Sequence, residues 1–203
     1  MKKYAVLHEP GDIVTLAGTR FVVLDVERRG SLPDSLFLLA LESVGASEFG
    51  SSNNYAESDL KKAVDKWLED MGKRGLDNAK LIPREIDLTT LDGSGCYGKL
   101  SVKAAPLTLD EAREYADIIP NAERWCWLAT GWSGPSKSDG GYALGVDSSG
   151  DWNYGNCSNS DGIRPALKIP SNLLLDSADK PDLSEVPTDT LLEEIRRRVV
   201  DKA

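Results

Sequence analysis

The side chains best suited to chemistry are few and scattered. His8 is the single histidine, and the cysteines stand at Cys96, Cys126 and Cys157. A Ser-His-Asp triad would have to use His8, and no Gly-x-Ser-x-Gly turn accompanies it. Beside Glu9 and Pro10, at the end of an apolar run, His8 reads as a strand-end surface residue. The cysteines are odd in number, lack zinc spacing and have no histidine nearby to activate a thiol. Cys126, between Trp125 and Trp127, has the setting of an inert buried thiol, whereas Cys157 falls in a polar segment and is expected to be exposed. Glycines cluster at Asp92-Gly93-Ser94-Gly95 and Asp139-Gly140-Gly141 without forming a GxGxxG or a P-loop. Asp147, Asp151 and Asp161 make acidic, oxygen-rich loops of the kind calcium accepts, but no EF-hand ligand pattern accompanies them. The expectation is a non-enzyme, with no catalytic residue, no metal ligand set and no cofactor.

Binding chemistry is better represented. The segment 138–161, SDGGYALGVDSSGDWNYGNCSNSD, consists mainly of Ser, Gly, Asn, Asp and Tyr. Tyrosine offers contact area at low entropic cost, and small polar residues adapt their hydrogen bonds, which is the composition of binding loops. The aromatic cluster Trp125, Trp127 and Trp132 precedes it, and Ile163-Arg164-Pro165-Ala166-Leu167-Lys168-Ile169 follows the Asp161-Gly162 turn. A soft polar loop between two stiff strands suits a displayed surface. The expected ligand-binding residues are Trp132, Tyr142, Asp147, Asp151, Trp152, Asn153, Tyr154, Asn156 and Ser158. Alternation puts Trp125 and Trp127 on one face, as a core pair, and leaves Trp132 as the ligand candidate. Apart from Trp152, every residue of the segment can be reached from an AAY asparagine codon by changing its adenines alone. Glu, Lys, Gln and Met, which cannot, are absent from it.

The elements that hold this stretch follow from pattern. Tyr4–Leu7, Asp12–Leu16, Thr19–Val26 and Ser35–Leu41 are expected strands, the last apolar nearly throughout and so covered on both faces. Leu60, Ala63, Val64, Trp67, Leu68 and Met71 repeat at helical spacing after Glu57 or Ser58, and Gly72 or Gly75 ends that helix. Thr108 and Glu111 form a capping box for a second helix, with Leu109, Ala112, Tyr115, Ala116 and Ile119 inward and Pro120 as its stop. Leu81-Ile82, Ile86–Leu88 and Lys99–Val102 are short strands or extended connections. The polar stretch 171–187 reads as a linker, and 188–203 as a C-terminal helix that docks or offers a surface for self-association or a partner.

Composition bounds the rest. With 203 residues, one domain over 1–170 plus a tail is the natural count. The formal charge of −9 disfavours nucleic acid. No signal-peptide core or membrane-length run is present, and the cysteine usage suits a reducing cytoplasm.

Taken together, WCWLATGW…YALGVDSSGDW…SDGIRPALKI resembles the C-terminal module of C-type-lectin-like proteins of bacteria, phages and mobile elements. More narrowly, it is similar to the variable proteins of diversity-generating retroelements. The FVVLDV strand, the NNYAESDLKKAVDKWLED helix and the PLTLDEAREYA helix extend the likeness over roughly Ile13 to Ile169. The resemblance implies an α+β, C-type-lectin-like fold of short, twisted, mainly antiparallel strands with two amphipathic helices. It also implies a variable surface near the C-terminal strands that binds a protein or other macromolecule, and a cytoplasmic or phage- or mobile-element-associated protein. Arg164, in the Gly162-Ile163-Arg164-Pro165 turn, is then expected to hold backbone carbonyls. Formylglycine-generating enzymes share the fold and a Gly-Phe-Arg ending, but Cys126 and Cys157 do not sit in their paired-cysteine motif. That enzyme type and a phage or mobile-element assembly protein are the alternatives. Classical variable proteins end close to the variable region, whereas here more than thirty residues follow Pro170.

Overall fold

Alternation along the central strands sorts their side chains into two cores. The computed structural model describes residues 2–4, 8–29, 32–135 and 140–177. Strands β1 (Lys2–Tyr4), β2 (Ile13–Leu16), β3 (Thr19–Arg29) and β4 (Leu32–Ala40) open the chain. On β3 and β4, Phe21, Val23, Leu36, Leu38 and Ala40 enter one buried cluster, while Val22, Leu24, Phe37 and Leu39 enter another. Both faces are therefore covered, as the unbroken apolar run of β4 requires.

After β5 (Ala46–Glu48), Ser58 caps helix α1 (Asp59–Lys73) by accepting the Lys61 N–H at 2.9 Å. Leu60, Val64 and Met71 of α1 are buried in the first core, with Ala63, Trp67 and Leu68 packed against it. Strands β6 (Arg84–Asp87) and β7 (Lys99–Val102) form a separate ribbon, and β8 (Ala104–Ala105) leads to α2 (Leu109–Glu114). The capping box is present: Thr108 Oγ1 accepts the Glu111 N–H, and Glu111 accepts the Thr108 N–H.

Helix α2 is shorter than its pattern suggests. The chain tightens after Glu114 into turns in which the Ile118 and Ile119 N–H groups both donate to Tyr115 O. That tightening brings Tyr115, Ile118 and Ile119 onto the second core and leaves Ala116, expected inward, exposed.

The remaining strands are β9 (Cys126–Gly131), β10 (Tyr142–Val146), β11 (Trp152–Asn156), β12 (Ser160–Gly162), β13 (Ala166–Pro170) and β14 (Leu174–Ser177). They complete a seven-stranded sheet in the order β1-β14-β2-β3-β4-β13-β8 and a five-stranded sheet in the order β11-β10-β9-β12-β5. Pairing is antiparallel except between β12 and β9. The fold is thus α+β with mostly antiparallel sheets.

Residues 163–165 carry the chain from one sheet to the other. Val44 N–H donates to Ile163 O, Ala40 N–H donates to Pro165 O, and Arg164 Nε donates to Ala40 O at 2.8 Å. Among the described residues the Arg164 side chain holds one backbone carbonyl, where several were expected.

Two further expectations change. The linker expected from 171 begins inside the sheet, because β14 pairs with both β1 and β2. The apolar Leu173-Leu174-Leu175 run has a strand edge to join, so the domain extends to at least Ser177. The rest of that linker, the expected helix at 188–203 and residues 5–7 of the first strand lie outside the described residues. His8 is buried rather than exposed, with Nδ1 3.2 Å from Asp12 Oδ2. Among the described residues no helix is long and apolar enough to cross a membrane.

Candidate functional site

The polar segment is largely a hairpin, not a loop. Tyr142 pairs with Asn156, Leu144 with Tyr154 and Val146 with Trp152, and Asp147 opens the turn between the strands. Residues 136–139 lie outside the described residues. Asp147 shapes the turn: its Oδ1 accepts from the Ser149 N–H and hydroxyl and from the Asp151 N–H. The Ser149 hydroxyl, first among these donors, holds the Asp147 carboxyl below the usual range. At the other end of the hairpin, Asn156 Oδ1 accepts from the Ser158 N–H and hydroxyl. Asp147 and Asn156, expected as ligand contacts, therefore also fix the backbone.

The two faces of this hairpin do different things. On one, Leu128 and Leu144 are buried in the second core, and Trp132 packs at its border. Tyr154 lies over Trp132 with ring centroids 4.3 Å apart, and Tyr142 meets Tyr154 edge-on at 5.6 Å. Trp152 and Tyr154 are 44% and 50% exposed, the most exposed large aromatics among the described residues. Leu91, Leu109 and Arg113 complete a concavity of about 350 Å³ with Trp132, Trp152, Asn153 and Tyr154. Arg113 holds its guanidinium 5.5 Å above the Trp152 ring. Nothing in the sequence pattern placed Arg113, Leu91 and Leu109 here, because they come from α2 and the loop before β7.

The opposite face is closed. Trp127 is buried, with Trp125 edge-on at 4.5 Å and Phe49 edge-on at 5.4 Å. Trp125 lies directly on the hairpin: a Cβ at Gly145 would stand 2.1 Å from its ring, and one at Gly155 would stand 3.2 Å from Trp127. These glycines are slots for indoles rather than loop residues. Gly145→Ala should accordingly cost about 1–3 kcal/mol through overpacking. In thermal melts of G145A, W125A and the double variant, the second substitution should recover part of the first one's loss. Strict additivity would mean that the ring does not seat on Gly145.

Among the described residues β11 is the edge strand of its sheet. Cys157 N–H donates to Gly141 O and Asp147 N–H to Asp151 O, which by alternation points the Tyr154 N–H off that edge. Asn153 Oδ1 accepts that N–H at 2.8 Å. One outward N–H of that edge is thereby satisfied by a side chain of its own strand.

Of the nine expected residues, Trp132, Tyr142, Trp152, Asn153 and Tyr154 come together. Asp147 and Asp151 sit at the hairpin turn, and Asn156 and Ser158 at the far end. Asp151, Asn153, Asn156 and Ser158 are exposed. Among the described residues no group of three or more His, Cys, Asp or Glu could hold a metal ion.

All three cysteines are free, and Cys157 is buried rather than exposed: its backbone is tied to Gly141 and Gly50, and its side chain joins the first core. Burial pushes the Cys126 thiol up to about 11 and the Cys157 thiol up to about 12, the reverse of activation. The folded state disfavours both thiolates. Their contribution to stability is complete below the ordinary thiol value of 9.0 and is lost as pH rises from there through about 12. Denaturant melts between pH 8 and 11 should show wild type losing stability more steeply than a Cys126→Ala/Cys157→Ala variant. Parallel curves would contradict the assignment.

No family model, curated protein or solved structure matches this chain.

Proposed function

We propose that the protein is a non-enzymatic binding module on a C-type-lectin-like fold, presenting the β10–β11 hairpin to a protein or other macromolecular ligand. The observation that carries this reading is the half-open aromatic face of Trp132, Tyr142, Trp152 and Tyr154, backed by a closed face of buried tryptophan. Exposed aromatics on a rigid sheet bind with little ordering cost. Asp151, Asn153, Asn156 and Ser158 supply a polar rim. The asparagine-codon pattern of the segment extends the proposal to diversification of this surface by a retroelement. In the formylglycine-generating alternative, Cys126 and Cys157 would be reactive, and their raised thiol values weigh against it. An assembly role through the C-terminal helix concerns residues outside those described.

A surface-display library tests the reading. With Asn153, Tyr154, Asn156 and Ser158 randomised, most members should fold, and selection against an unrelated test protein should yield specific binders. Loss of folding in most members, or no binders from a folded library, would overturn it.

A further inference from the structure

Beside the aromatic concavity, on the same face of the hairpin, lies a second cavity of about 270 Å³ between β9, the end of β10 and the turns after α2. Leu107, Ala112, Ile119, Leu128 and Val146 give it apolar walls, and Arg164 is the only charged residue among the described ones that line it. Arg164 is 6% exposed. Its Nε is used on Ala40 O, but its buried Nη2 has no hydrogen-bond partner among the described residues. A buried cation with a donor to spare is costly unless something accepts from it. Its electrostatic neighbours are Cys126, whose thiol stays protonated, and Glu42, which already pairs with Arg20 at 3.2 Å.

We propose that this cavity is a small-molecule site for a carboxylate on a compact apolar body, with the Arg164 guanidinium taking the carboxylate and the aliphatic walls taking the body. At about 30 Å³ per water-sized group the space suits roughly nine such groups, the size of a medium-chain or aryl-alkyl acid. A guanidinium has the planar donor geometry that a carboxylate matches. The proposal is independent of the hairpin reading, since the two sites share only Trp152 as a wall.

Calorimetric titration of the full chain with octanoate and with 1-octanol tests it. Octanoate should bind with a submillimolar Kd, and octanol, with the same tail and no charge, at least tenfold more weakly. Arg164→Met should weaken octanoate at least tenfold. Should that variant fail to fold for want of the Ala40 contact, Ala116→Phe serves, because Ala116 is exposed and lines the cavity. It should fold normally and also lose octanoate at least tenfold. No binding at millimolar octanoate, equal binding of octanol, or unchanged binding to A116F would each overturn the proposal.

Discussion

Trp127→Ala should destabilise the domain by about 3–5 kcal/mol, the range for truncating a large buried aromatic. Trp127 is 1% exposed and is flanked edge-on by both Trp125 and Phe49. Its Nε1 donates to Ser47 O at 3.0 Å, which ties β9 to β5 across the short β12. Truncation opens a cavity and leaves that carbonyl without its donor. Simultaneous alanine substitution of Asn153, Asn156 and Ser158 should cost far less, within about 0.5 kcal/mol per site for exposed residues, with the Asn156 turn at the upper end. Adding Tyr154→Ala removes its ring contact with Trp132, worth about 0.5–1.5 kcal/mol. Urea melts of these variants give the comparison directly. A Trp127→Ala loss below about 1 kcal/mol would mean that the indole is not the core of this sheet.

Glu111→Ala should be the next most damaging change, at about 3 kcal/mol, because one carboxylate serves two structures. It closes the capping box of α2, and it pairs with Arg84, whose side chain is 6% exposed. The Arg84 Nη2 donates to the Ala105 and Pro106 carbonyls at 3.0 and 3.1 Å, and the guanidinium lies 5.1 Å from the Phe37 ring centre. Alanine thus removes a cap and strands a buried cation. Glu111 is 22% exposed, so water screens part of the lost attraction and holds the figure near the low end for buried pairs. Glu111→Gln keeps the reach back to Thr108 and should recover the cap but not the charge. Thermal melts placing Gln and Ala at the same Tm would show that capping contributes nothing.

Both residues show what a sequence can and cannot carry. Helix starts were readable at Ser58 and Thr108 because a cap is a local hydrogen bond, made within three residues of the capping side chain. Trp127 was readable as core from its alternation with Trp125. The end of α2 was not, because Tyr115, Ile118 and Ile119 answer to the second core rather than to helical spacing. Gly145 and Gly155 look like loop glycines in a row of residues; only the approach of Trp125 and Trp127 explains them. Missing that, a polar composition concealed a hairpin whose few aliphatics, Leu144 and Val146, were too sparse to announce strand. For the site, residue type alone picked out Trp152 and Tyr154. Arg113 and Leu91, which come from other elements, needed the fold.

The hairpin divides its labour by position: the exposed residues of β11 and its ends are free to change because Leu144 on one face and the glycines under Trp125 and Trp127 on the other carry the fold. A saturation scan of positions 125–166, read out by the amount of folded protein, tests it in one measurement. Positions 151, 153 and 158 should accept nearly any residue, and 154 and 156 most, while 127, 145 and 155 accept almost none. Intolerance at the exposed positions, or free substitution at Trp127 and Gly145, would contradict the account.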